Sequence, residues 1–353
     1  MSDLHQQYMF RCLELARHGA GRVAPNPMVG AVLVYENRII GEGWHQVYGG
    51  PHAEVNCIRS VHKSDEHLIP LSTLYVSLEP CAHFGKTPPC SQLIIEKKIP
   101  KVVIGCRDPF EAVNGKGIEQ LQKAGVEVIT GILEKEAITL NQRFFCFHQQ
   151  KRPYIILKWA QTNDGFIAGI SDTRLLITHE QTNRIVHRWR SEEAAILIGT
   201  ETAVKDDPSL NNRYWMGKSP LRLVIDKKLR LPHQLVLFND GQPLVVFNEL
   251  KHENSGPITY VKLKEGKPLI DELLDYCYTN GIQSILVEGG ARLLQSFIDQ
   301  HQWDEARIIT NKNLQIQTGL AAPVLSDHIA IGSSISLNDQ INFYMNSKST
   351  PLI

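Results

Sequence analysis

No apolar run in this chain approaches the ~20 residues that a membrane-spanning helix needs, and residues 1–10 are polar where a signal peptide would be apolar. Neither sign of charge prevails: Lys plus Arg and Asp plus Glu number 37 each. That balance gives no reason to expect nucleic acid or a membrane as partner, although a few basic side chains can still line an anion pocket. Cysteine is scarce, seven in 353 residues, odd in number and scattered. Such a set is no disulfide framework and points to a reducing cytoplasm. Internal repeats and low-complexity tracts are absent, and no G-x-G-x-x-G occurs, so a Rossmann fingerprint cannot be the basis for nucleotide binding. What remains is a globular composition, 42% apolar and 21% charged. The chain is longer than the ~250–300 residues at which one core stops growing, so two domains are expected.

Both halves alternate strand and helix signals. In the first, residues 4–18, 53–62, 90–98, 116–124 and 134–147 read as helices. Residues 29–35 and 38–42 read as a hairpin turning at Tyr35, Glu36 and Asn37, and 73–78, 101–106 and 126–130 as further strands. A polar break at 148–153 separates residues 1–147 from residues 151–353. In the second half, strands are predicted at 154–159, 194–198, 221–226, 244–247 and 284–287. Helices are predicted at 178–190, with Thr178 as N-cap, and at 268–279 and 290–299. The alternation predicts α/β layering, helices covering a mainly parallel sheet.

Two segments of the first half carry chemistry. One is Pro51-His52-Ala53-Glu54; the other is Glu79-Pro80-Cys81, followed after eight residues by Cys90. One His and two Cys give zinc three protein ligands and leave a fourth position for water, the composition of a catalytic site. Zinc lowers the pKa of that water to about 7, which makes hydroxide available for attack. Glu54, two residues past the ligand, can take the water's proton and return it to a leaving amine. The pattern matches the general H-x-E…P-C-x-x-C signature of zinc deaminases, with eight residues between the cysteines in place of two. A structural zinc module would need a fourth protein ligand. A nucleoside or tRNA deaminase with a degenerate second half is the other alternative. In the second half, Glu288-Gly289-Gly290-Ala291 leads from a strand into a helix. A glycine pair there lets backbone N–H groups approach a phosphate.

The zinc-loop string EPCAHFGKTPPC at residues 79–90 closely resembles that of the bifunctional riboflavin biosynthesis family RibD. PNPMVG at 25–30, GEGWH at 41–45 and GPHAE at 50–54 resemble it too. So do KWAQTNDG at 158–165, VHRWR at 186–190 and the stretch from Ile198 to Arg213. The resemblance implies a cytidine-deaminase-like zinc domain in residues 1–147, followed by a dihydrofolate-reductase-like domain in 151–353. It implies successive deamination and NADPH-dependent reduction of phosphorylated pyrimidines, with one zinc per chain and homo-oligomerisation left open.

Position by position, the resemblance places Asn26, His45, Lys86 and Asp108 at the deaminase substrate. It places Arg190, Leu210, Arg213 and Glu288 at the reductase substrate. Ala160, Leu176, Thr202, Asp206, Gly290, Ala291, Arg292, Leu293, Leu294, Gln295 and Ser296 would line the nucleotide. Lys227, just past a strand with Lys228 beside it, is a candidate for the 2′-phosphate of NADPH. Lys158 and Glu288 are read as ionisable groups at opposite ends of strands that polarise the sugar C1′ as hydride arrives; an ion pair of Lys158 with Asp164 or Glu288 is the alternative. Two departures stand out: Phe110 where the family often has Asn, and Leu176 where it frequently has Trp.

Overall fold

The computed structural model describes residues 2–82, 88–170 and 175–352. It separates into two compact units, Met1–Lys151 with Leu352–Ile353, and Arg152–Pro351. Among the described residues, no helix is long and apolar enough to cross a membrane.

The first unit runs α1 (Ser2–Arg17), β1 (Gly30–Tyr35), β2 (Arg38–Trp44), α2 (Ala53–Arg59), a 3₁₀ segment (Lys63–Leu71), β3 (Thr73–Leu78), α3 (Cys90–Glu96), β4 (Lys101–Cys106), α4 (Lys116–Lys123), β5 (Glu127–Ile129), α5 (Glu134–Leu140) and α6 (Gln142–Gln150). Its sheet has the order β2-β1-β3-β4-β5, with β1 antiparallel to both neighbours and β3, β4 and β5 parallel. Strands β1, β3 and β4 are nearly continuous apolar runs because both their faces are covered. Ala31, Leu33, Leu74, Val76, Val102 and Ile104 face one layer with Cys57, Ile94 and Leu121. Val32, Val34, Tyr75 and Val103 face α1 through Tyr8, Met9, Cys12 and Leu15. Glu36 and Asn37 both adopt positive φ, 44° and 65°, the backbone of a tight primed hairpin turn. At Gly43 a Cβ would collide with the backbone nitrogen of Cys57, so α2 lies directly on β2 and brings His52 to the sheet.

The expected closing helix is broken in two at Asn141. Its side-chain oxygen accepts the N–H of Met28 at 2.8 Å and its amide donates to the Met28 carbonyl at 2.9 Å. The amide competes with helix propagation and ties down the loop that carries Asn26.

The second unit runs β6 (Tyr154–Thr162), β7 (Phe166–Ala168), α7 (Glu180–Glu192), β8 (Ala195–Gly199), α8 (Thr200–Asp206), β9 (Leu221–Ile225), α9 (Val236–Asn239), β10 (Leu244–Asn248), β11 (Glu253–Ser255), β12 (Ile258–Lys262), α10 (Leu269–Thr279), β13 (Ser284–Gly289), α11 (Ala291–Asp299), β14 (Glu305–Asn311), β15 (Leu320–Ala321), β16 (His328–Ser336) and β17 (Asp339–Asn346). The ten-stranded sheet has the order β11-β12-β10-β9-β8-β13-β6-β14-β17-β16, and β7 pairs with β15. From β12 to β14 neighbours are parallel; β11, β17 and β16 are antiparallel additions.

Several details of this unit differ from the sequence reading. Helix α7 begins at Glu180, capped by His179, whose ring nitrogen accepts the Gln181 N–H; the Thr178 hydroxyl turns to Asn183 instead. β14 was hidden by its charged residues: Arg307 pairs with Glu305 at 2.6 Å and lies over the Trp189 ring. Lys158 and Glu288 are not at opposite ends of strands. Leu157 pairs with Val287 in parallel register, so Lys158, midway along β6, stands level with Glu288 near the end of the neighbouring strand β13.

Candidate functional site

In the first unit, three sequence-distant segments converge. His52 is the extended residue before α2, Cys81 follows β3, and Cys90 opens α3. His52 Nδ1 lies 3.6 Å from Cys81 Sγ and 3.4 Å from Cys90 Sγ, and the three donor atoms fall within 4.8 Å of one another. The hydrogen bond from the Cys90 thiol is the main cause that brings Cys81 down to about 4, with His52 adding to it. The bond to Cys81 is the main cause that lifts His52 to about 9, and the Cys90 thiol is driven up by its bond to Cys81 and by burial. Two thiols and an imidazole this close, with Cys81 favoured as the thiolate, form the donor set of zinc.

Glu54 sits in the first turn of α2 with only 3% of its surface exposed, and burial raises its pKa. Beside His52, His45 Nδ1 donates to the Pro51 carbonyl at 3.0 Å, which leaves Nε2 to accept from the Asn26 amide at 3.2 Å. Burial lowers the pKa of His45, so the ring is neutral in this arrangement. The rings of His45 and His52 are 5.5 Å apart. Asp108, buried past β4, accepts the Phe110 N–H at 2.8 Å. Its carboxyl is pushed up to about 7, mainly by burial, with Glu79 and Cys81 adding to it. The Phe110 ring packs 5.0 Å from His148. Lys86 lies outside the described residues.

In the second unit the charged groups gather around Glu288. Arg190 grips it with two bonds, Nε to Oε1 at 2.7 Å and Nη2 to Oε2 at 2.8 Å, and Lys158 Nζ lies 3.7 Å from Oε2. Burial opposes ionisation here, but Arg190 and then Lys158 outweigh it and hold Glu288 at about 2. Asp164 takes the backbone N–H groups of Ile316 and Gln317 instead of Lys158. Arg190 also donates to the Asn211 carbonyl, and the guanidinium of Arg213 reaches the Asn211 side chain. Leu210 is buried at φ 53°, and His187 accepts the Arg213 N–H at 3.1 Å. His187 is driven down to about 4 by burial, Arg190 and Arg213.

Gly290 caps the N-terminus of α11 after a cis Gly289–Gly290 peptide bond. The Thr202 hydroxyl stands 3.0 Å from where a Cβ on Gly290 would be, and Leu293 approaches Gly199. Ala160 is half-buried on β6, and Asp206 ends α8. The residues 291–296 do not share one face. Leu294 turns into the core, Gln295 receives the Val324 N–H, and the Ser296 hydroxyl bonds back to Arg292. Leu176 is 77% exposed. Lys227 and Lys228 both pair with Glu249, at 3.7 and 2.6 Å.

The sequence reading missed Glu79, His187 and Asn141 as supports. Each acts on backbone amides, and no spacing rule marks such a role.

Residues 2–106 match the family model of the cytidine and deoxycytidylate deaminase zinc-binding region, and residues 153–311 match that of the RibD C-terminal domain. Riboflavin biosynthesis protein RibD of Aquifex aeolicus is 36% identical over 94% of this chain and 90% of its own length. That of Actinobacillus pleuropneumoniae is 40% identical over 83% and 79%. The chain belongs to the RibD family. A solved Thermotoga maritima deaminase/reductase superposes with a TM-score of 0.88 at 35% identity, covering 98% of this chain and 99% of the other. Acinetobacter baumannii RibD gives 0.88 at 30% identity over the same shares. As a RibD, the chain is a bifunctional enzyme of riboflavin biosynthesis, a zinc-binding cytidine-deaminase-like domain followed by a dihydrofolate-reductase-like domain that uses a pyridine nucleotide.

Proposed function

We propose that the first unit hydrolyses the 2-amino group of 2,5-diamino-6-(5-phosphoribosylamino)pyrimidin-4(3H)-one, releasing ammonia and leaving 5-amino-6-(5-phosphoribosylamino)uracil. The second unit then reduces the ribosyl group of that product to ribityl with NADPH. The Thermotoga relative carries these two activities in its name. The observation that carries the first half of the reading is the convergence of His52, Cys81 and Cys90 beside buried Glu54.

His52, Cys81 and Cys90 hold one zinc per chain. Zinc in such a site supplies a water acidic enough to attack at neutral pH. Glu54 takes the proton of the attacking water and returns it to the leaving amine; burial, which raises its pKa, suits it to both halves of that task. The Asn26–His45 pair and Asp108 hold the pyrimidine, and a carboxyl titrating at about 7 can donate to the base as well as accept from it. Lys86 meets the ribose phosphate.

In the second unit, NADPH supplies the hydride. Lys158 polarises the open-chain C1′ oxygen and gives it a proton, and Glu288 keeps that ammonium in place. Arg190 is committed to Glu288 on two sides, so its role is to keep that carboxylate ionised at the substrate. Arg213, which has no carboxylate partner among the described residues, is the guanidinium left for the phosphate. Leu210 supports the same loop. Ala160, Leu176, Thr202, Asp206 and the start of α11 line the nucleotide, and Lys227 takes its 2′-phosphate. Seven cysteines without a disulfide, two of them needed as thiolates, suit a reducing cytoplasm. Partners are small phosphorylated pyrimidines, not nucleic acid or membrane.

The test is ammonia release followed by NADPH oxidation on the diaminopyrimidine phosphate, with zinc counted per chain. Deamination of cytidine or tRNA in its place would overturn the reading.

A further inference from the structure

Glu79 precedes Pro80 and Cys81 at the end of β3 and is only 4% exposed. No basic side chain pairs with it among the described residues. Its carboxylate instead collects four backbone N–H groups. Oε2 accepts from Asp108 at 3.2 Å and from Gly115 at 3.0 Å, and Oε1 from Gly117 at 3.0 Å and from Ile118 at 3.3 Å. All four donors belong to the one segment that leaves β4, carries Asp108 and opens α4. The same segment is pressed onto the Cys81 strand end by sterics: a Cβ at Gly117 would collide with the Pro80 carbonyl oxygen. A second tie runs through Ser91 at the start of α3, whose hydroxyl lies 2.9 Å from the Cys81 carbonyl and 2.8 Å from the Gln120 side chain on α4.

A buried carboxylate without a cation is costly unless its lone pairs are filled, and a cluster of backbone amides fills them. Four donors need four acceptor sites, which a carboxylate has and a carboxamide lacks. The chemistry at this point therefore calls for Glu specifically, two residues from a metal ligand.

We propose that Glu79 is a positioning residue of the deaminase: it bolts the Asp108 segment to the strand end that presents Cys81, and so sets where the pyrimidine is held relative to the metal ligands. This inference rests on the reading of Asp108 as a substrate contact. Glu79 touches neither substrate nor metal. It acts through the amides of Asp108, Gly115, Gly117 and Ile118.

The test uses the full-length, zinc-loaded protein with Glu79→Gln. The carboxamide nitrogen would face two N–H donors, turning two attractions into repulsions. Hydrogen exchange at those four amides should quicken by about tenfold or more, since losing their acceptor removes their protection. Zinc should stay at one per chain. KM for the diaminopyrimidine phosphate should rise by about tenfold while kcat moves by less than about threefold, the signature of lost binding and not of lost chemistry. Gly117→Ala, which displaces the same segment with Glu79 intact, should give the same split and serves if the first variant does not fold. Zinc lost along with kcat would make Glu79 a support of the metal centre alone, and unchanged KM with quickened exchange would remove its link to substrate; either overturns the proposal. Asp108→Asn separates the two readings. Normal KM in that variant overturns the Asp108 assignment and this inference with it. A raised KM there with a normal KM in Glu79→Gln overturns this inference alone.

Discussion

The two active units solve the problem of charge in opposite ways. In the first, His52, Cys81 and Cys90 bring three donor atoms within 4.8 Å of one another, a set suited to a dication. In the second, a single carboxylate, Glu288, is already held between two cations, Arg190 and Lys158. On the proposed reading a metal completes the first site, whereas the second already has its ion pairs and takes substrate and nucleotide. A single substitution should therefore empty the first site, whereas in the second it should leave a buried charge without its partner.

The largest effect should come from Cys81→Ser. Metal analysis should find most of the zinc gone, and ammonia release should fall beyond the ~10⁴-fold upper range of proton shuttling alone. Full zinc occupancy would remove Cys81 from the centre. Glu54→Gln should come next: zinc retained, fold intact, and deamination reduced by at least ~10²-fold. NADPH oxidation on supplied, already deaminated substrate should stay near wild type. Loss of both activities with zinc retained would refute two independent sites.

Glu288→Gln breaks the other side of the comparison. Arg190 and Lys158 lose their shared counter-charge, and kcat/KM for reduction should drop by about 10²-fold, the lower range for disturbing a positioned proton donor. Deamination should be unaffected, and a reductase at wild-type rate would make the triad structural only. A smaller effect is expected for Lys227→Ala. Its ammonium is shared with Glu249, so the preference for NADPH over NADH should shrink by only about threefold, as for an exposed pair. Equal kcat/KM for the two nucleotides in the wild type would refute the preference itself.

The smallest effect separates the units by sign. Glu288 is held at about 2 against a usual 4.5, so its contribution to stability is present above pH 4.5 and is lost as pH falls toward 2. Asp108, raised to about 7 from a usual 3.8, contributes most below pH 3.8, and that contribution is lost as pH rises through 7. Melting of Asp108→Asn against wild type between pH 4 and 8 should show the wild type losing its relative stability as pH rises. No pH dependence in that difference would contradict the burial of this carboxyl.

The two units were also unequally legible. In the first, His52 with Glu54 and Cys81 with Cys90 sit in short strings whose spacing carries the chemistry, and the covered strands announce themselves as apolar runs. In the second, Lys158 and Glu288 meet because β6 and β13 are neighbours, and Arg190 reaches them from α7; no local spacing encodes that. β16 escaped the sequence reading because it lies exposed at a sheet edge, and β14 because its buried Glu305 and Arg307 look like surface residues until paired. Thr178 was the better N-cap by residue preference, yet His179 is held by Asp339 through its N–H and takes the position.

The place of β6 has a consequence for the order of assembly. The first strand of its unit lies between β13 and β14, so one neighbour is missing until the ribosome has passed Gly289 and the other until it has passed Asn311. The first unit draws all five strands from residues 30–129 and can close its sheet while the rest is still being made. A nascent chain stopped before Glu305 would carry a first unit with its sheet closed, lacking only the packing of Leu352, and a reductase whose central strand still has an open, apolar edge. That edge is the stretch most exposed to mispairing during synthesis, since strands that await distant partners close slowly.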